Sequence, residues 1–256
     1  MSEKMCKFAE NMKFLLIHIE ETDSTNRWIK DHQPPFIKGE DVVVCADFQT
    51  AGRGCGTNHW ESERGKNLLF SVLFHPTSVP AASQFILSMA NALALKEALD
   101  DYVNGIKIKW PNDLYWKDCK ICGTLIETTL QGGHIKDCII GTGININQQT
   151  FRSDAPNPVS LCQILGHKVE REEVLQKVIA NTTQYMEMVE AGAWEKIRTL
   201  YRHHLYRLEE SHRYRFADGR EEECKLSNVT DDGHLELLHV NGETYRMAFK
   251  EVEFII

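Results

Sequence analysis

The run Gln49-Thr50-Ala51-Gly52-Arg53-Gly54 surrounds one fixed cation with naked backbone, and it follows an apolar, strand-like stretch. Glycines let backbone N–H groups approach an anion closely, and a guanidinium can hold two oxygens of a carboxylate or phosphate at once. Read alone, the signal is weak. It is not a G-x-G-x-x-G turn, and Gly65-Lys66 lacks both the upstream glycine spacing and the Ser/Thr of a Walker loop, so an ordinary surface loop is the default. A second cluster is Lys109-Trp110-Pro111-Asn112-Asp113, followed by Lys120 and Gly123. A turn with a solvated lysine is the plain interpretation. The combination is more specific: an Asn-Asp pair able to bind hydrated Mg²⁺ or a triphosphate, and a lysine one short hairpin away. At ~4 Å a lysine and a phosphate oxygen attract by roughly 4 kcal/mol at an effective dielectric of about 20, enough to matter where negative charge develops. The third cluster, Gly141-Thr142-Gly143-Ile144-Asn145, interrupts a strand-like run with glycines, which marks close approach of a ligand or another backbone.

These clusters need a scaffold. Residues 14–19 and 42–48 read as short buried strands, with Ser24-Thr25-Asn26 offering helix caps for 27–31 between them. Residues 49–66 read as a long flexible loop and a candidate ligand lid. Strand character returns at 67–74, a packed helix is expected over 79–102, and strands over 106–110, 121–129 and 138–146, with a hairpin turn at Gly132-Gly133. Residues 159–206 read as helical, broken near Gly192. Beyond 207, short alternating runs are separated by Asp218-Gly219, Asp232-Gly233 and Asn241-Gly242, strong tight-turn dipeptides. The expected division is therefore 1–206, a mixed β-sheet with flanking helices, and 207–256, a small β-barrel packed on it without a linker.

Composition narrows the class. With 42% hydrophobic and 26% charged residues the chain can bury a large core, and a net charge of -8 argues against a surface devoted to nucleic acid. The only early apolar run, 14–19, is too short for a signal-peptide core, and no segment reaches the ~18 apolar residues of a membrane span. A cytoplasmic protein without a membrane is expected. The eight cysteines are scattered through apolar segments, which suits free structural thiols. Cys119 and Cys122 flank Lys120, but no second Cys or His pair accompanies them, and coincidence is favoured over zinc or redox control. His203-His204 reads as the flank of a helix end.

Taken in order, Asp23-Ser24-Thr25-Asn26, Gln49 to Gly54 with Trp60, Lys109 to Asp113, Lys120 with Gly123, and Gly141 to Asn145, the chain resembles the catalytic domain of biotin protein ligases over residues 14–146. The C-terminal segment looks like that family's Src-homology-3-like barrel. The resemblance implies an α+β fold of the class II aminoacyl-tRNA-synthetase-like type and ATP-dependent attachment of biotin to a lysine through a biotinyl-adenylate. It implies that Ser24, Thr25, Asn26, Gln49, Gly52, Arg53, Gly54, Lys120, Gly123, Gly141 and Gly143 bind biotin. Arg53 and Lys120 would bring its carboxylate to the α-phosphate of ATP. Asn58, Trp60, Asn112, Asp113, Lys120 and Asn145 would serve the nucleotide, with Mg²⁺ reaching Asp113 through the phosphates. The implied acceptor is a biotin carboxyl carrier protein or domain of a carboxylase.

Departures are as informative. The family commonly carries basic residues just after the Gly-Arg-Gly core, where this chain has Cys55-Gly56-Thr57, so weaker retention of the adenylate is expected. About 13 residues precede the first expected strand, so a DNA-reading helix-turn-helix and sequence-specific DNA binding are not expected. A homodimer is possible through an exposed sheet edge. Two alternatives stay open: a lipoate or octanoate protein ligase, whose usual lysine context is lacking, and a biotin-binding protein without turnover, against which Arg53, Asp113 and Lys120 together argue.

Overall fold

The computed structural model describes residues 4–6, 14–36, 41–153 and 157–256. Its body is an eight-stranded sheet in the order β1-β2-β3-β4-β8-β7-β6-β5. The strands are β1 (Lys4–Cys6), β2 (Phe14–Thr22), β3 (Asp41–Gln49), β4 (Leu68–Phe74), β5 (Ile106–Lys109), β6 (Asp113–Trp116), β7 (Cys119–Gln131) and β8 (His134–Ile144). Only β2 and β3 run parallel, as they must with helix α1 (Thr25–Phe36) crossing over between them. The centre, β4, has the sequence LLFSVLF and all seven residues buried, the continuous apolar run of a strand covered on both faces.

Helix α2 (Phe85–Asp100) is buried on nearly every side because it packs against α4 (Arg171–Glu190), α5 (Trp194–His203) and β5. The expected helix over 79–102 is shorter at its start: Ala81 N donates to Gly133 O at 2.9 Å and Ile135 N to Val79 O at 2.9 Å, so 79–81 is tied to the β7–β8 hairpin instead. A short α3 (Leu161–Leu165) begins at Ser160, which forms a reciprocal capping box with Gln163. Two strands of this sheet are not evident from the sequence. β1 lies before the expected first strand, and β6 follows directly on the Pro111-Asn112-Asp113 punctuation, whose Trp110–Pro111 peptide is cis.

The C-terminal part is a five-stranded antiparallel sheet, β12-β11-β10-β9-β13, consistent with the expected small barrel. It comprises β9 (Ser211–Phe216), β10 (Glu221–Val229), β11 (Leu235–His239), β12 (Thr244–Met247) and β13 (Val252–Phe254). Gly219, Gly233 and Gly242 all adopt positive φ, as the tight-turn dipeptides require. Its inward residues Tyr214, Phe216, Leu226, Leu235 and Val252 join one continuous core with α2, α5 and the large sheet. The seam has a defined join: Trp110 Nε1 donates to Gly233 O at 2.9 Å, and a Cβ at Gly233 would come within 2.6 Å of the Phe85 ring. Among the described residues no helix is long and apolar enough to cross a membrane.

Candidate active site

A cavity of about 1080 Å³ opens between the large sheet, the loop over 50–67 and the C-terminal sheet. It is lined by Ser24, Thr25, Asn26, Gln49, Arg53, Gly54, Asn58, Trp60, Asn112, Asp113, Lys120, Gly123, Gly141, Gly143 and Asn145. The one expected site residue not on the lining is Gly52. Its carbonyl accepts from Trp60 N at 3.0 Å, and a Cβ there would meet Trp60 O at 2.6 Å, so Gly52 acts by letting the loop close on itself.

That loop is more ordered than its composition predicts. Thr50 N and Ala51 N donate to Thr22 O and Asp23 O at 2.9 and 3.0 Å, Gly54 N to Asn58 O at 2.8 Å, and Arg53 bridges to His59. A segment tied at each turn holds its side chains over the cavity without the support of regular secondary structure.

The start of α1 builds a polar cradle. Gln49 Oε1 accepts from Thr25 N at 2.8 Å and from Thr25 Oγ1 at 3.1 Å, which leaves the Gln49 amide nitrogen free to donate. Ser71 Oγ lies 2.6 Å from both Thr25 Oγ1 and Asn26 Oδ1. Asn26 Nδ2 donates to Glu127 Oε2 at 2.9 Å and to Leu125 O at 3.3 Å, two contacts that a flipped amide would lose. Ser71 and Glu127 were missed in the sequence. Ser71 had a signal, a lone hydroxyl inside an otherwise apolar strand.

The strand glycines admit side chains rather than another backbone. A Cβ on Gly143 would collide with the Trp60 indole, one on Gly123 would come within 2.9 Å of Trp60 Cζ3, and one on Gly141 would collide with Asn26 Oδ1. Gly123 and Gly143 are register partners on β7 and β8, so together they form the bare floor on which Trp60 rests. Three cavity-lining residues carry buried polar atoms without a protein hydrogen-bond partner: Trp60 Nε1, Thr142 Oγ1 and Asn145 Oδ1. Such atoms are costly unless a bound molecule satisfies them.

The two expected cations share this cavity, but each has a protein carboxylate. Lys120 Nζ lies 2.7 Å from Asp113 Oδ2, and Arg53 Nη1 lies 3.3 Å from Glu127 Oε1, an oxygen that Lys30 also holds at 2.7 Å. Burial opposes ionisation of Glu127, but hydrogen bonds from Lys30 and Asn26 and the charges of Lys30 and Arg53 outweigh it and hold the carboxyl below its ordinary range. Lys109 lies over the rings of Tyr115 and Phe254, and burial depresses its ammonium pKa. Asn112 Nδ2 donates to Thr124 O and lies 3.1 Å from Cys55 Sγ, and burial pushes that thiol up. Among the described residues no group of three or more His, Cys, Asp or Glu could hold a metal ion. Asp113, the acid expected to meet Mg²⁺ through the phosphates, is engaged by Lys120.

Glu61 ties the far lip. Its carboxylate accepts from Arg152 N at 2.9 Å and from Ser153 N at 2.5 Å, joining the loop after Trp60 to residues 152–153. The C-terminal wall of the cavity, including Phe249, Lys250 and Phe254, was also absent from the sequence reading, which confined the site to residues 24–145. Cys119 and Cys122 are free, and burial drives the Cys122 thiol far above its ordinary range.

The model of the biotin/lipoate A/B protein ligase family matches residues 18–145. The "Bifunctional ligase/repressor BirA" of Bacillus subtilis is 32% identical over 168 residues, which are 63% of this chain and 49% of that protein. The "Biotin--[acetyl-CoA-carboxylase] ligase" of Paracoccus denitrificans is 29% identical, over 70% of this chain and 76% of that protein. Against the first of these, the chain spans about half the length of its relative. Among solved structures, the biotin protein ligase of Aquifex aeolicus in complex with biotin and ATP superposes with a TM-score of 0.76 at 25% identity, covering 93% of this chain and 97% of that one. The matched stretch is half of the sequence and contains every expected site residue, and the chain belongs to the biotin/lipoate A/B protein ligase family.

Proposed function

We propose that this protein activates biotin with ATP and transfers it to a lysine of a biotin carboxyl carrier protein or carboxylase domain, acting in the cytosol. In this reading residues 1–206 form the catalytic domain and 207–256 the small one. The observation that carries it is the meeting of Arg53 and Lys120, from a loop and a distant strand, in one cavity with the Thr25–Gln49–Ser71–Asn26 network.

The chemistry follows from these groups. The free Gln49 amide and the Ser24–Asn26 turn suit a neutral ureido ring, which needs matched donors and acceptors. Arg53 and Lys120 neutralise a carboxylate and an α-phosphate that otherwise repel, so the carboxylate oxygen reaches phosphorus and pyrophosphate leaves. Trp60 Nε1 and Asn145 Oδ1 supply one donor and one acceptor to the adenylate. A lysine amine of the acceptor then attacks the acyl carbon, and AMP leaves with the phosphate oxygen. Asn112 and Asp113 are the residues nearest to hand for Mg²⁺ carried by the phosphates, where the ion would offset their charge.

Biotin-dependent ATP–pyrophosphate exchange by the purified protein tests this directly. Exchange with biotin and none with lipoate is expected. Exchange with lipoate alone would replace this reading with the lipoate ligase alternative.

A further inference from the structure

The cavity has a cation that the motifs do not account for. Lys250 follows Phe249 in the connection between β12 and β13 and lines the cavity from the C-terminal side. It makes no ion pair among the described residues, whereas Arg53 and Lys120 each have a carboxylate. Its side chain lies directly on Gly56 of the loop, where an added Cβ would come within 2.9 Å of Lys250 Cε and closer still to Nζ. Gly56 has φ +68° and Lys250 itself φ 73°. A lysine in the left-handed region is strained where a glycine would not be, and such strain collects at ligand sites.

Cys55 marks what this ammonium faces. The thiol, raised chiefly by burial, feels both Lys120 and Lys250, and its sulfur lies 3.1 Å from Asn112 Nδ2. Two positive charges, one from β7 and one from the C-terminal sheet, thus flank a spot that also holds an amide donor. A neutral thiol is poor company for two cations, whereas a polyanion suits them.

We propose that Lys250 is a nucleotide-binding residue that reaches across from the C-terminal sheet to hold the outer phosphates of the triphosphate, completing with Lys120 and Arg53 a ring of three cations. This rests on the reading of the cavity as a ligase site. Gly56 is part of the device, because any side chain there would push the ammonium away. The β12–β13 connection thereby helps to bind substrate as well as to wall the cavity.

The test compares the full-length parent with Lys250→Met and Lys250→Arg in biotin-dependent ATP–pyrophosphate exchange. One exposed cation on a phosphate amounts to about a fivefold effect. Lys250→Met should raise the KM for ATP and weaken inhibition by pyrophosphate by about that factor, with the KM for biotin within about twofold and Lys250→Arg close to the parent. An ATP KM unchanged in Lys250→Met, or ATP and biotin KM rising together, overturns the assignment of Lys250 while the exchange itself upholds the ligase reading. A parent protein with no exchange overturns both.

Discussion

The indole of Trp60 rests where a side chain on Gly143 would stand, so a loop residue and a strand residue more than eighty positions later in the chain are fitted to each other. The neighbouring Gly123 leaves the same space, and Trp60 Nε1 is buried there without a protein partner. The floor of the cavity is thus defined by what two residues lack.

Gly143→Ala should therefore displace Trp60 while leaving the sheet intact, since β8 keeps its backbone pairing at that position. Misplacing a positioning group by about 1 Å can cost about a hundredfold in rate, and a loss of that order in ATP–pyrophosphate exchange is expected. Tryptophan fluorescence should shift and the melting temperature should change little. A variant with parent activity would show that Trp60 does not need its floor.

Lys120 and Asp113 form a tight pair at 2.7 Å, and removing either charge should act differently. Lys120→Ala removes a donor aimed at developing charge, for which losses of about a hundredfold to a thousandfold in turnover are typical. Asp113→Asn leaves the ammonium in place but frees its orientation, so a smaller fall is expected. Single-turnover formation of biotinyl-adenylate measures both; equal losses would mean that Asp113 does more than orient Lys120.

Cys55 occupies a position facing Asn112 where a guanidinium would add charge to the cavity. Cys55→Arg should slow release of the adenylate in the absence of acceptor by about fivefold, the scale of one partly exposed ion pair. Release can be followed by rapid filtration after a single turnover. Equal rates in variant and parent would show that the loop's missing cation does not govern retention.

Stability should fall with acid through His204. Burial, with Lys96, His203 and Lys107 nearby, lowers its pKa to about 4. An unfolded histidine titrates near ~6.5, so between these values the unfolded chain binds more protons and stability rises with pH. The contribution is complete above ~6.5 and is lost progressively as pH falls toward the folded value. His204→Gln should flatten the dependence of melting temperature on pH across that window. A slope identical to the parent's would locate the acid sensitivity elsewhere.

Much of this site was legible because its chemistry is local. Ser24-Thr25-Asn26, Gln49 to Gly54, and Asn112-Asp113 each carry their own turn or cap chemistry, and the cavity takes onto its lining Ser24, Thr25, Asn26, Gln49, Arg53, Gly54, Asn112 and Asp113. Glu127 was not legible, because its partners Asn26, Lys30 and Arg53 lie on other elements and only the fold brings four such groups together. The glycines of β8 suggest approach by a ligand or another backbone, but within the chain the visitors are an indole and an amide, which a sequence does not say. The C-terminal strands were foreseen from their turns, yet β13 is three residues long, too short for alternation to register, and with it went the far wall of the cavity.

The hydrogen bond from Trp110 to the turn carbonyl of Gly233 places one small β-turn under two obligations, reversing its own strand and closing over the segment that carries Lys109. Phe249 meets the same indole edge-on, with ring centroids 6.3 Å apart. Detaching the last fifty residues would uncover that tryptophan beside Lys109 and open the cavity to bulk water, so the smaller sheet is better regarded as the cavity's door frame than as an appendage.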